Sequence, residues 1–256
     1  MAIPGYLPQQ ASIKAYYALE NVNDGSVNAY NLTNNNAVTF TNAKFFSGAN
    51  FGAVNSNKSL TVTTDFGLAS AGAVTYSCWI KLLAEIDTGR WTFVSHTTSA
   101  TTAYYSITYD YNAGTIRLEF ARVKGGVASQ AYQHNITLGT TNFYHLALVY
   151  DSTNVNGYIN GVYVGQAAAS GTGDARDPYF SIGKVIGYSE FASALIDEVV
   201  VWFTALTATE IIKVFQGSAR GGFSGGQPWI FMKEMWEKHN KLWTPKLILP
   251  KEGFSY

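Results

Sequence analysis

The chain has 256 residues, of which 13% are charged, 47% hydrophobic and 15% aromatic, and its 17 acidic residues balance 17 basic ones. This length suits one large β-sandwich or two small domains, and the balance leaves no net field to draw the chain to nucleic acid or an anionic membrane. No apolar run approaches the roughly 18–20 residues of a membrane-spanning helix, and so weakly charged a surface favours a protein at work within an assembly.

Residues 1–11 read as an N-terminal arm. Its start, Met1-Ala2-Ile3-Pro4-Gly5, lacks the basic and apolar regions of a cleavable signal peptide. From about Ser12 to Phe203 short alternating runs rich in β-branched and aromatic residues are broken by Gly, Asn and Asp. Leu60–Thr63, Ser106–Tyr109 and Thr115–Phe120 are examples. The stretch Tyr109–Thr115 predicts a hairpin connection, and Asn160-Gly161 predicts a second, because Asn-Gly supplies the positive φ angles of a type I′ turn. Cys78 is the single cysteine, so no intrachain disulfide forms. Alternation puts Cys78 and Ile80 on one strand face and Trp79 on the other, which makes Cys78 a buried, inert thiol. Many short strands without intervening amphipathic helices predict antiparallel sheets packed face to face. Thr207-Ala208-Thr209-Glu210 predicts a capping box, with Thr207 at the N-cap of a short helix through Phe215. The Gly-rich residues 217–227 read as a linker. Pro228 suits the first turn of a final helix running to about Trp243 within a tail over 228–256.

Several segments, in order, resemble the laminin-G-like, concanavalin-A-like lectin and glucanase family. They are Tyr16–Glu20 with the loop Asn23–Leu32, Phe45–Phe51, Thr75–Lys81, Phe143–Asp151, Gly157–Gly165, Ala194–Trp202 and Leu206–Ile211. Phe143 stands where the family usually has Trp. The resemblance covers about residues 13–216 and implies a two-sheet antiparallel jelly-roll sandwich over 12–216, with a short helix after the last strand. Such sandwiches host lectins, adhesion modules, glycosidases and virion proteins, so the likeness speaks to fold before function.

Candidate chemistry follows from the residues. Glycoside hydrolysis needs two carboxylates flanking one bond. The nearest acids in the late strand, Asp197 and Glu198, are adjacent, so alternation sends them to opposite faces, and Glu190 lies too far along the chain to complete a family-type acid motif. His96, His134 and His145 form no triad, and His145 reads as a hydrogen-bonded sheet residue. The resemblance implies a structural Ca2+ site, with Asp197 as side-chain ligand and carbonyls near Glu20 and Gly48 completing oxygen coordination. A glycan platform could come from Tyr104, Tyr109 and Tyr111, with Asn154, Asp174 and Arg176 in nearby loops. In the tail, Trp229, Phe231, Met232, Met235, Trp236 and Trp243 form an aromatic and methionine stripe suited to docking in a groove of another subunit or protein.

The reading is a non-catalytic structural or interaction protein. It displays a lectin-like sandwich on a larger assembly such as a phage virion and attaches or oligomerises through its tail. An extracellular or cell-surface calcium-dependent carbohydrate-binding module is the second reading, and a β-glucanase-type glycosidase the third.

Overall fold

A computed structural model of the chain describes residues 3–54, 56–64, 66–67, 72–98, 103–124, 127–169, 178–185 and 188–220. In chain order the first strands are β1 (Ile13–Tyr17), β2 (Thr33–Asn35), β3 (Thr39–Asn42), β4 (Ser47–Asn50) and β5 (Ser59–Val62). The long strands follow: β6 (Val74–Leu82), β7 (Gly89–Thr98), β8 (Ala103–Asn112), β9 (Thr115–Lys124) and β10 (Val127–Asn135). The last are β11 (Tyr144–Tyr150), β12 (Asn154–Ile159), β13 (Val162–Ala168), β14 (Pro178–Ile182) and β15 (Ala194–Trp202), ahead of helix α1 (Ala208–Arg220). Among the described residues these strands make two antiparallel sheets. Sheet A runs β13-β12-β11-β6-β15-β4-β3, with β1 also pairing β15; sheet B runs β10-β9-β8-β7-β14-β5-β2.

Local signals account for much of this. Asn160 and Gly161 take φ of 51° and 78°, and Ala113 and Gly114 take 49° and 83°, so both hairpins close on residues in the left-handed region. The expected connection in Tyr109–Thr115 is therefore centred on Ala113-Gly114, with Asn112 opposite Thr115. Thr207 caps α1 as expected: Glu210 N–H donates to Thr207 Oγ1, and Thr207 N–H donates to Glu210 Oε2 at 2.9 Å. The helix runs past Phe215 to Arg220.

The sandwich core lies between the inner faces of the two sheets. Cys78, Ile80, Phe93, Ile107, Phe120, Leu148 and Phe180 are fully buried in it. Burial pushes the Cys78 thiol pKa up, away from reactivity. A second apolar layer covers the outer face of sheet A, where Leu7, Tyr16, Val200, Trp202, Ile211 and Val214 cluster. It joins the N-terminal arm to α1. Trp202 Nε1 donates to Pro8 O at 3.0 Å, and the Trp79 ring stacks on Phe215 with centroids 5.5 Å apart.

Beneath α1, the His145 ring sits between Trp79 and Phe215, at 5.3 and 6.0 Å. Neither ring nitrogen has a partner among the described residues, so the expected side-chain hydrogen bond is not made. Burial holds its pKa down to about 3.

The acids of β15 also depart from simple alternation. The register slips between Asp197 and Val200 against β6, and Glu198 takes φ of 49°, which makes a β-bulge. Ile196 and Val199 face the core on either side of it, and both carboxylates emerge on the outer side. The two acids therefore share a face. Asp197 accepts N–H bonds from Phe45 and Glu198, each at 2.8 Å. Glu198 accepts the hydroxyls of Tyr6 at 2.7 Å and Tyr16 at 2.9 Å. Burial, reinforced by Glu198, pushes Asp197 up to about 8 against the pull of its amide donors.

Two pH-resolved stability measurements follow. His145 is held below its unfolded pKa, so native stability falls as pH drops below about 6.5. The advantage of His145→Leu over the wild type should grow by about 2 kcal/mol between pH 6.5 and pH 5. A constant difference in chemical denaturation would show that the ring is not held neutral. Asp197 is shifted the other way: its contribution is complete below about pH 4 and lost as pH rises through about 8. Asp197→Asn should therefore gain on the wild type between pH 6.5 and pH 8, by on the order of 2 kcal/mol. Parallel wild-type and variant profiles would contradict the raised pKa.

Candidate functional site

Sheet B differs from sheet A in what its outer face carries. Strand alternation, with a register shift in β7 between Thr92 and Val94, places Thr92, Ser95, Ser106, Thr108, Asp110, Glu119 and Ser181 there, and all seven are buried. The hydroxyls bond sideways across the strands. Ser95 Oγ meets Ser181 Oγ at 2.7 Å, and both hydroxyls donate to Lys184 O at 2.9 Å. This anchors the main chain of the segment that follows β14. The segment is fixed again where Gly183 N–H donates to Phe93 O at 2.9 Å and Ala192 N–H to Gly183 O at 2.8 Å. Gly183 takes φ of 88°, and a Cβ there would overlap the Phe51 ring.

Toward the β2–β5 edge this face opens into a cleft of about 660 Å³, within the range of small-molecule sites. Four amides line it, Asn34, Asn35, Asn36 and Asn57, together with Ser59, Ser189, Lys184 and Phe191. Asn34 spends its amide on the turn, exchanging bonds of 2.8 Å with Val38 O and N–H. Asn35 Nδ2 donates to Thr61 Oγ1 at 2.9 Å, and Asn36 Nδ2 to Asn57 O at 2.7 Å. The Ser59 hydroxyl is fully buried at the floor with no partner among the described residues. A polar group so placed costs free energy until something bonds to it.

Toward β9 and β10 the same face carries charge. Arg90 bridges two carboxylates, Nη2 to Glu119 Oε1 at 2.5 Å and Nε to Glu190 Oε1 at 3.4 Å. Gln133 donates to Glu119 Oε2 at 2.7 Å, and Thr92 donates to Glu190 Oε2 at 3.2 Å. Arg117 pairs with Asp110 at 2.8 Å. Burial raises the Glu190 pKa, with Arg90 opposing it. Glu190 thus meets Glu119 through a shared guanidinium, although 71 positions separate them in the chain, as 190 less 119.

The residues expected from sequence fall elsewhere. Tyr109 points inward: its ring is in the core and its hydroxyl accepts the Leu138 N–H at 2.8 Å. Tyr111 packs against the same core. Inner-face register removes both from a glycan platform. Asn154 lies across the molecule at the start of β12, where its N–H bonds to Asp151 at 2.7 Å. The side chain of Tyr104, and Asp174 and Arg176 entirely, lie outside the described residues. So do Trp229, Phe231, Met232, Met235, Trp236 and Trp243 of the tail.

The implied calcium set is partly gathered. Gly48 lies against β15, where a Cβ would sit 3.3 Å from Asp197 Cβ, and Glu20 adds its charge to Glu198. The groups facing Asp197 are hydrogen-bond donors, namely the amides of Lys44, Phe45 and Glu198, with the Lys44 ammonium close enough for their charges to interact. Those donors give the Asp197 carboxylate its bonds in this structure. No three acidic, histidine or cysteine side chains group to hold a metal among the described residues.

A family model for the concanavalin A-like lectin/glucanases superfamily matches residues 32–212. No curated protein sequence matches the chain. Among solved structures, the chain is similar to domain 4 of AbnA, an extracellular arabinanase from Geobacillus stearothermophilus, solved in complex with arabinotriose. The TM-score is 0.63 at 19% identity, covering 80% of this chain and 98% of that one. It is also similar to the binding domain of botulinum neurotoxin DC in complex with SialylT, at TM-score 0.63 and 14% identity, covering 82% of this chain and 52% of that one. The serotype G binding domain gives a TM-score of 0.62 at 13% identity, covering 81% and 51%. This chain thus spans about half the length of the neurotoxin domains. The ordered strands and the matched residues agree: the chain belongs to the concanavalin A-like lectin/glucanases superfamily.

Proposed function

We propose that this chain is a non-catalytic carbohydrate-binding module whose ligand lies in the cleft on the outer face of sheet B. The observation that carries this reading is the lining of that cleft. Amides and hydroxyls can exchange hydrogen bonds with sugar hydroxyls, and the half-buried Phe191 offers a ring for a sugar face. The Asn35 and Asn36 side-chain carbonyls and the Asn57 amide make no bonds among the described residues. They are available without breaking the fold. The arabinanase domain, solved with arabinotriose, supports the reading as a module of matching length and fold.

The neighbouring acids support binding over hydrolysis. Glu119 and Glu190 each have both oxygens engaged, by Arg90, Gln133 and Thr92. Glycoside cleavage needs two carboxylates free to flank the scissile bond, and these two are tied to Arg90 and its neighbours instead.

A glycan array probed with the full chain, followed by calorimetry on the hits, tests this. Binding is expected without release of cleaved products, and it should survive a calcium chelator. Phe191→Ala removes the ring. Asn57→Gly removes an amide at a position with φ of 56°, which glycine adopts freely. Each should weaken binding by about tenfold, or about 1.4 kcal/mol, with an unchanged Tm. Absence of any glycan hit, or hits unaffected by both variants, would overturn the assignment.

A further inference from the structure

The cleft contains one charged side chain. Lys184 is half-buried in its wall, held there because Ser95 and Ser181 both bond to its carbonyl. Its ammonium stands 5.9 Å from the centre of the Phe191 ring. It forms no ion pair among the described residues. The acid nearest in sequence, Glu190, is committed to Arg90 and Thr92. Every other lining side chain is neutral. Opposite Lys184 lie an unbonded buried hydroxyl, Ser59, and a row of amides.

From this arrangement we infer that the cleft selects a saccharide carrying a carboxylate, with Lys184 as its counter-charge. The inference rests on the carbohydrate-binding reading above and adds the class of sugar. A neutral sugar would satisfy the amides and leave a partly desolvated ammonium without a partner. A uronate or sialate carboxylate would meet it with a charge-assisted hydrogen bond, stronger than a neutral one and less screened than at an open surface. Burial already lowers the Lys184 pKa, so an anion bound there relieves a cost the free protein carries. The amides and the ring of Phe191 distinguish such a sugar from a bare anion, which could use the lysine alone.

Calorimetry with the full chain and two matched ligand pairs tests this: oligogalacturonate against its methyl ester, and sialyllactose against lactose. The acidic member of at least one pair should bind about tenfold or more tightly than its neutral partner, and that preference should shrink as salt is raised. The two pairs separate a uronate from a sialate source. Lys184→Gln should abolish the preference, and Lys184→Arg should retain most of it. The wild-type pairs decide the matter even where a variant loses stability. Equal binding of acidic and neutral members, or a preference that survives Lys184→Gln, overturns the charge selection and leaves the binding reading standing. Competition by free acetate as effective as by the sugar overturns the saccharide assignment. Failure of every saccharide to bind, on these pairs and on the array, removes the binding reading and this inference with it.

Discussion

Strand β15 is buried along all nine of its residues, and the rest of the molecule follows from that constraint. A strand hidden on both faces needs an apolar layer on each side. On the inner side the sandwich core supplies it, through Ile196, Val199 and Val201. On the outer side the N-terminal arm and α1 do so, packing over Val200 and Trp202. Full burial of a large side chain contributes roughly 1.5–3 kcal/mol, so the arm and the helix are part of the fold's stability.

The bulge at Glu198 is the exception within that strand. It turns two carboxylates toward the same covered face, where amides and two tyrosine hydroxyls receive them. A buried acid pair of this kind stabilises little by itself, because desolvation opposes the hydrogen bonds. Its effect is to tie the arm, through Tyr6, to the centre of sheet A. With that face occupied, sheet B presents the broad face that remains polar. Its floor of serines and threonines sits low because those side chains are short, and the larger Lys184, Phe191 and Arg90 stand around them.

Much of the fold was legible in the sequence, and the reasons are local. Period-two alternation gave Cys78 and Ile80 to the core and Trp79 to the other face, where it stacks on Phe215. Thr207 and Glu210 lie three apart and cap a helix wherever that pattern meets an apolar run. The bulge was not legible, since Asp197-Glu198 carries no glycine to announce a positive φ. Alternation also does not say which face turns inward: Tyr109 enters the core and Tyr111 packs against it. The cleft is drawn from residues 34–36, 57, 59, 184, 189 and 191, parts of the chain brought together by the pairing of β2, β5 and β14. The polar run Asn34-Asn35-Asn36 was its one visible signal.

The proposed function divides the two sheets: sheet A's outer face is covered by the arm and α1, and sheet B's outer face is the proposed binding surface. Hydrogen–deuterium exchange on the full chain, with and without a saturating saccharide from the array, tests it most directly. Protection is predicted in β2, β5 and residues 183–192, with β15 and the arm unchanged. Protection centred on the arm, α1 or the bulge at Glu198, with sheet B unaffected, would contradict it.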